Sequence, residues 1–234
     1  MFDTADLYGQ GHSEEVLGEA LHDRRHQAVV CTKVGYVMAK RLRFLGRLKS
    51  FLRPVLKAVQ SVSSRAGDSI VAARASAISQ DFSPGYIDAA VHSSLRRLSM
   101  EHIDLLLLHS PPVDVESEPV IAVLEKLKAS GKIGAFGISV RDPLDADTFL
   151  NWQGISALQM RFEPDHAGLL GLVVERAERL GVGIIAREVF SGVAIKDPGA
   201  RQQALRSTLA QRGIDVALVG TSNIDHLREN LAAL

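Results

Sequence analysis

Seven short apolar runs, rich in β-branched residues, recur along this chain, and amphipathic stretches fall between most of them. That alternation limits the fold more than any single residue does. The runs are 1–2 (a stub), 28–32, 103–108, 133–137, 156–158, 182–186 and 216–219. The stretches 13–21, 84–98, 119–130, 169–180 and 199–211 carry helical periodicity. Strand followed by helix, repeated, implies a parallel sheet whose right-handed crossovers place helices outside. Gly131 and Gly181 follow two helical patterns where left-handed caps are expected. Ser13 is read as an N-cap, with Glu14 and Glu15 facing the dipole of the first turn. A closed (β/α)₈ barrel needs eight strands. Seven units starting from a stub lead to the expectation of an α/β, TIM barrel-like (β/α)8 fold with the first βα unit missing from this chain. One domain over 1–234 is the simplest organisation, and an open doubly wound sheet is the alternative.

Bulk composition narrows the class. The chain has 234 residues, 46% of them hydrophobic and 23% charged, which is a soluble globular composition. A net charge of zero gives no overall pull toward nucleic acid. The single cysteine, Cys31, excludes an internal disulfide framework, and its apolar neighbours read as a buried thiol. No run approaches the roughly 18 apolar residues of a membrane helix. The expected location is cytoplasmic, without nucleic-acid partners or an integral membrane segment. Self-association is expected through the strand edges that a seven-stranded barrel exposes. The eight histidines show no metal-ligand spacing, and no metal is expected.

In barrels of this kind chemistry sits at the C-terminal ends of the strands. The residues that close each run, or the first polar ones beyond, are Asp3, Lys33, His109, Ser139, Gln159, Arg187 and Thr221. Tyr8 lies in the loop that follows Asp3. Together Tyr, Lys, Asp and His suit the reduction of a carbonyl. A phenol is a poor acid by itself, and a nearby ammonium favours the phenolate. A carboxylate holds the ammonium, and an imidazole can hydrogen-bond the substrate oxygen.

The segments FDTADLYGQGHSEEVLGEAL, VVCTKVG, SLRRLSMEHIDLLLLHSPP, GKIGAFGIS, LQMRFEP and VGTSNIDHLRENL run in order from residue 2 to residue 231. In this set and order the chain resembles an aldo-keto reductase. The resemblance implies an NAD(P)H-dependent oxidoreductase that reduces an aldehyde or ketone on a (β/α)₈ barrel. It assigns Tyr8 as general acid, with Asp3, Lys33 and His109 completing a tetrad. It gives Ser139 and Gln159 the nicotinamide carboxamide. It lays 187–192 (with Arg187, Phe190, Ser191 and Gly192) along the nicotinamide and pyrophosphate. It wraps 220–230 (with Gly220, Thr221, His226, Glu229 and Asn230) around the adenosine end.

Some positions depart from that pattern. Val140 follows Ser139 where many relatives have Asn, and Arg187 stands where many stack an aromatic ring. Gly220 stands where some relatives carry a Lys for the 2′-phosphate, and His226 where an Arg is common. Arg228 and His226 could rebuild that contact, and NADP(H) is expected ahead of NAD(H). The implied N-terminal hairpin, first strand and first helix have no counterpart.

Region 38–80 reads as a basic amphipathic insertion. Between 38 and 66 it holds eight Lys or Arg and no Asp or Glu. Three roles fit it: packing on the barrel, forming a lid or anion-attracting flap over the mouth, or contacting a membrane surface or an acidic partner. Residues 110–118 and Trp152 are expected to border the substrate pocket. A cofactor-binding or regulatory protein with little catalysis, and a truncated non-functional fragment, are the alternatives to an enzyme.

Overall fold

The computed structural model describes residues 1–38, 78–162, 167–193 and 197–233, and divides the chain into two compact units, 1–104 and 105–234. Apart from residues 38 and 78–80, the basic insertion lies outside the described residues.

The first unit holds β1 (Phe2–Asp3), β2 (Val30–Val34), β3 (Tyr36–Met38) and β4 (Ile78–Gln80). It also holds the helices α1 (His12–Leu21) and α2 (Pro84–Leu98). β1 and β2 pair in parallel, with Phe2 opposite Val30 and Asp3 opposite Cys31. All five residues of β2 are buried, as expected of a parallel strand covered on both faces. β3 and β4 form an antiparallel ribbon on either side of 39–77, an element the sequence patterns did not show.

Local chemistry sets the helix ends. Ser83 caps α2 by accepting from the Tyr86 N–H, and Pro84 occupies its first turn. The N-cap of α1 is Gly11 at φ 92°, not Ser13. Ser13 instead accepts a hydrogen bond from the Thr4 hydroxyl at 2.9 Å, which ties the loop after β1 to α1. A Cβ on Gly18 would lie 2.2 Å from the Leu98 carbonyl oxygen, so only glycine lets α1 approach the end of α2 this closely.

β5 (Ile103–His109) begins in the first unit and continues in the second. Its Asp104 carboxylate accepts from the Val30 N–H at 2.7 Å and from Arg25 at 2.6 Å, fixing the start of β5 to that of β2.

The second unit continues with β6 (Ile133–Ser139), β7 (Ala157–Arg161), β8 (Gly183–Arg187) and β9 (Val216–Ala217). Its helices are α3 (Ser117–Ala129), α4 (Ala146–Phe149), α5 (Ala167–Leu180), α6 (Pro198–Leu209) and α7 (Ile224–Leu231). β6 to β9 pair in parallel, each with the next. Hydrogen bonding links the strands in the order β1-β2-β5-β6-β7-β8-β9. These are the seven runs read from the sequence, in chain order. Gly131 and Gly181 adopt φ of 72° and 69°, the left-handed caps expected of them. Close strand packing decides Gly137, where a Cβ would meet the Ala157 carbonyl oxygen at 2.1 Å. Trp152 is buried edge-on against Phe149, with ring centroids 5.6 Å apart.

Among the described residues no helix is long and apolar enough to cross a membrane.

Candidate active site

The side chains of a strand alternate between its two faces, and β2 divides its polar residues accordingly. Lys33 shares a face with Cys31, while Thr32 points the opposite way. The Thr32 hydroxyl donates to Glu14 of α1 at 2.6 Å. On the other face the Lys33 ammonium, 1% exposed, donates to the Asp3 carboxylate at 2.5 Å and to the Thr4 carbonyl at 2.9 Å. The register that sets Asp3 beside Cys31 brings the carboxylate within reach of Lys33, two residues further along β2. A buried ammonium needs such partners, because an isolated charge in an apolar interior is strongly unfavourable.

The loop after β1 turns sharply at once. Gly9, Gln10 and Gly11 have φ of 58°, 63° and 92°, so three successive residues are left-handed, one of them not glycine. Tyr8, immediately before this turn, lies over the Lys33 ammonium. Its ring centroid is 5.2 Å from the Lys33 ammonium, and the residue stays 42% exposed. Three of the four tetrad residues are thus gathered in the first unit: an accessible phenol, a buried ammonium and a carboxylate that holds it. The Cys31 thiol lies beside them, and burial, with the Asp3 charge adding, pushes its pKa up.

A second polar cluster lies in the first unit, and the sequence did not show it. Glu14, wholly buried in α1, accepts from Arg97 of α2 at 2.6 Å as well as from Thr32. Asp6 sits nearby in the loop between β1 and Tyr8. Burial, and next the Glu14 charge, raise its carboxyl to about 7, against the opposing pull of Arg97, the Leu7 N–H and the Tyr86 hydroxyl. The Tyr86 hydroxyl is 3.4 Å from the Asp6 carboxylate and 3.0 Å from the Tyr36 carbonyl. A carboxylate two residues before a turn tyrosine, and a helix glutamate followed by apolar positions, are the available sequence signals. Both read equally well as solvated residues.

In the second unit, His109 closes β5 and Ser139 closes β6. Gln159 lies in the middle of β7, not at its end. The strand runs two residues further because Met160 and Arg161 pair with Ala186 and Arg187. Ser139 and Gln159 stand opposite each other, both buried, and the serine hydroxyl donates to the glutamine carbonyl at 2.8 Å. That bond leaves the glutamine amide directed elsewhere. Arg187 closes β8, where its guanidinium donates to the Val140 carbonyl at 3.0 Å and pairs with Glu188.

Phe190, Ser191 and Gly192 follow in a turn, with Gly192 at φ 73°. Gly220 and Thr221 precede α7, whose cap Asn223 accepts from Asp225 at 2.8 Å. His226 is half-buried, and the exposed Arg228 pairs with Asp225 at 3.1 Å. The Glu229 carboxylate pairs with the buried Arg201 of α6. Asn230, 2% exposed, differs from all of these: neither atom of its amide has a hydrogen-bond partner among the described residues. A buried amide without partners costs about 1–3 kcal/mol, so a polar ligand that pairs with it gains affinity.

The model of the family described as "Aldo/keto reductase family" matches residues 1–197. The chain belongs to this family. The Bacillus subtilis (strain 168) protein named "Uncharacterized oxidoreductase YqkF" is 26% identical over 99% of this chain and 76% of its own length. The NADH-specific methylglyoxal reductase of Escherichia coli (strain K12) is 28% identical over 69% of this chain and 43% of its own length. Among solved structures, the holo form of aldo-keto reductase AKR11C1 from Bacillus halodurans superposes with a TM-score of 0.71 at 24% identity, over 99% of this chain and 75% of that one. An aldo/keto reductase from Klebsiella pneumoniae, crystallised with NADP and acetate, gives 0.69 at 21% identity, over 99% and 73%. The fold is therefore that of the aldo-keto reductase barrels, represented here by a parallel sheet of seven strands. The general chemistry of this aldo-keto reductase is that of an oxidoreductase.

A nicotinamide dinucleotide suits the residues present. The buried Asn230 amide, without a hydrogen-bond partner among the described residues, and the Ser139–Gln159 pair carry donors and acceptors of the kind that a base and a carboxamide can pair with.

Proposed function

We propose that this aldo-keto reductase reduces a small aldehyde or ketone with NAD(P)H, and that Tyr8 is its general acid. When bound, the dinucleotide supplies the hydride. The Tyr8 hydroxyl holds the proton that the carbonyl oxygen takes up. Lys33 stabilises the phenolate left behind, and Asp3 keeps the ammonium charged and aimed. His109 orients the substrate oxygen.

Ser139 and Gln159 hold the carboxamide. Arg187, its guanidinium edge occupied by Val140 and Glu188, offers a planar face to the nicotinamide. Phe190, Ser191 and Gly192 line the pyrophosphate. Gly220, Thr221, His226, Glu229 and Asn230 take the adenosine end. NADP(H) is preferred to NAD(H), with Arg228 leaving Asp225 to meet the 2′-phosphate.

The observation that carries this reading is the buried Asp3–Lys33 ion pair set against the ring of an accessible tyrosine. Replacing Tyr8 with Phe tests it. Turnover of a carbonyl panel should fall by about 10³-fold, while NADPH still binds with unchanged affinity. Retained turnover would refute the role of Tyr8.

A further inference from the structure

The Tyr86 hydroxyl has one hydrogen and faces two acceptors. The Tyr36 carbonyl, at 3.0 Å, can only accept, and it is the nearer. That one hydrogen cannot serve both: when it goes to the nearer carbonyl, a lone pair faces the Asp6 carboxyl oxygen at 3.4 Å, and the pull by which the hydroxyl would otherwise favour the carboxylate is withdrawn. A carboxylate at that point meets a lone pair. A carboxylic acid can instead donate and complete the chain from Asp6 through Tyr86 to the Tyr36 carbonyl. The other Asp6 oxygen is buried without a hydrogen-bond partner among the described residues, which also disfavours the charged form.

The three linked positions flank the catalytic ones. Asp6 lies two residues before Tyr8, and Tyr36 three residues after Lys33. The Asp6 N–H also donates to the Lys33 carbonyl at 3.1 Å.

We propose that Asp6 is a protonatable positioning residue: as a carboxylic acid it clasps Tyr86, and through it Tyr36, so that the Tyr8 turn is held over Lys33. This rests on the reading of Tyr8 as general acid. The charged neighbours act in both directions, and for Asp6 the Glu14 charge counts for more than Arg97. Glu14 of α1 opposes ionisation of Asp6, Arg97 of α2 favours it, and Asp81, before α2, acts against ionisation of Tyr86. The Asp6 carboxyl, raised to about 7, releases its proton near neutrality. Above that pH the carboxylate competes with the Tyr36 carbonyl for one hydrogen, and the clasp loosens.

Asp6→Asn, Asp6→Ala and Tyr86→Phe test this with two readouts on the full chain. The first is the carboxylic-acid stretch in infrared difference spectra between about pH 5 and about pH 9. The second is kcat for NADPH-linked carbonyl reduction over the same range. The native chain should lose a protonated-carboxyl band through about pH 7, and its kcat should fall with the same midpoint. Asp6→Asn, whose amide donates at every pH, should lack the band and show a flat profile, with kcat at acid pH within about threefold of native. Asp6→Ala and Tyr86→Phe should each lower kcat about tenfold at acid pH with little change in KM. A titrating band with superimposable pH profiles in native and Asp6→Asn would overturn the positioning role, as would the absence of any such band. If the native chain binds NADPH and shows a band that Asp6→Asn removes but turns over no carbonyl, the proposed reductase function fails while the protonated Asp6 stands.

Discussion

Lys33 and Asn230 are both polar, both almost wholly buried and both placed in the proposed site, yet their surroundings are opposite. Lys33 finds Asp3 and Thr4 within its own unit, and Tyr8 folds over it. The Asn230 amide finds no hydrogen-bond partner among the described residues. The contrast separates two kinds of work. A group that manages a proton has to be oriented before the substrate arrives, so its partners are built into the fold. A group that grips a ligand has to keep hydrogen-bonding capacity in reserve, at some cost in stability. In the proposed reading the first unit holds Asp3, Lys33 and Tyr8 in a partnered network, and the second holds residues that would grip a dinucleotide.

The sharpest way to break this contrast is to empty the partnered network. Lys33→Met leaves the Asp3 carboxylate without its ammonium. It should lower kcat by about 10³-fold and destabilise the chain by about 3 kcal/mol, read by steady-state kinetics and urea unfolding. Glu14→Ala strips Thr32 and Arg97 of their shared acceptor. It should cost about 3 kcal/mol in the same unfolding experiment, with a much smaller effect on kcat.

Asp6 sharpens the contrast through pH. Its folded value of about 7 lies above the reference 3.8, so the folded chain holds the proton more tightly than the unfolded one. Its contribution is present below about pH 4 and is lost as the pH rises through about 7. Discounted for partial exposure, the loss should be about 2 kcal/mol, and Asp6→Asn should remove it from the pH dependence of urea unfolding.

Asn230→Ala should behave the opposite way from Lys33→Met. It removes a buried amide that has no hydrogen-bond partner among the described residues, so stability should hold or rise, while the Kd for NADPH rises about tenfold. Ser139→Ala should be mildest, weakening NADPH about fivefold, with Gln159 relaxing into the space.

The sequence made the parallel scaffold legible because strands buried on both faces leave continuous apolar runs, and all seven were located. Asp3, Lys33, His109 and Ser139 were singled out because the C-terminal end of a strand is a fixed address in such a fold, and the structure brings Asp3, Lys33 and Tyr8 together. What stayed hidden depends on which side chains meet. Ser13 reads as a cap, but Gly11 takes that position once Thr4 claims the Ser13 hydroxyl. Glu14 reads as a dipole partner on a solvated turn, and only the packing of α1 on α2 shows that it is buried against Arg97. The ribbon of β3 and β4 is three residues on each side, too short to register as a pattern. Asp6, between Ala5 and Leu7, carries no periodic signal, and its raised pKa arises from burial in the packed unit and from the neighbouring Glu14 charge.

The most direct test crosses the two regions. Kd for NADPH and kcat at saturating NADPH are measured for the native chain, Lys33→Met and Asn230→Ala. The account predicts an orthogonal outcome: Lys33→Met loses kcat at native Kd, and Asn230→Ala raises Kd at native kcat. If both variants moved both quantities together, or if Lys33→Met kept its turnover, proton handling and cofactor grip would not be divided between these residues, and the account would be contradicted.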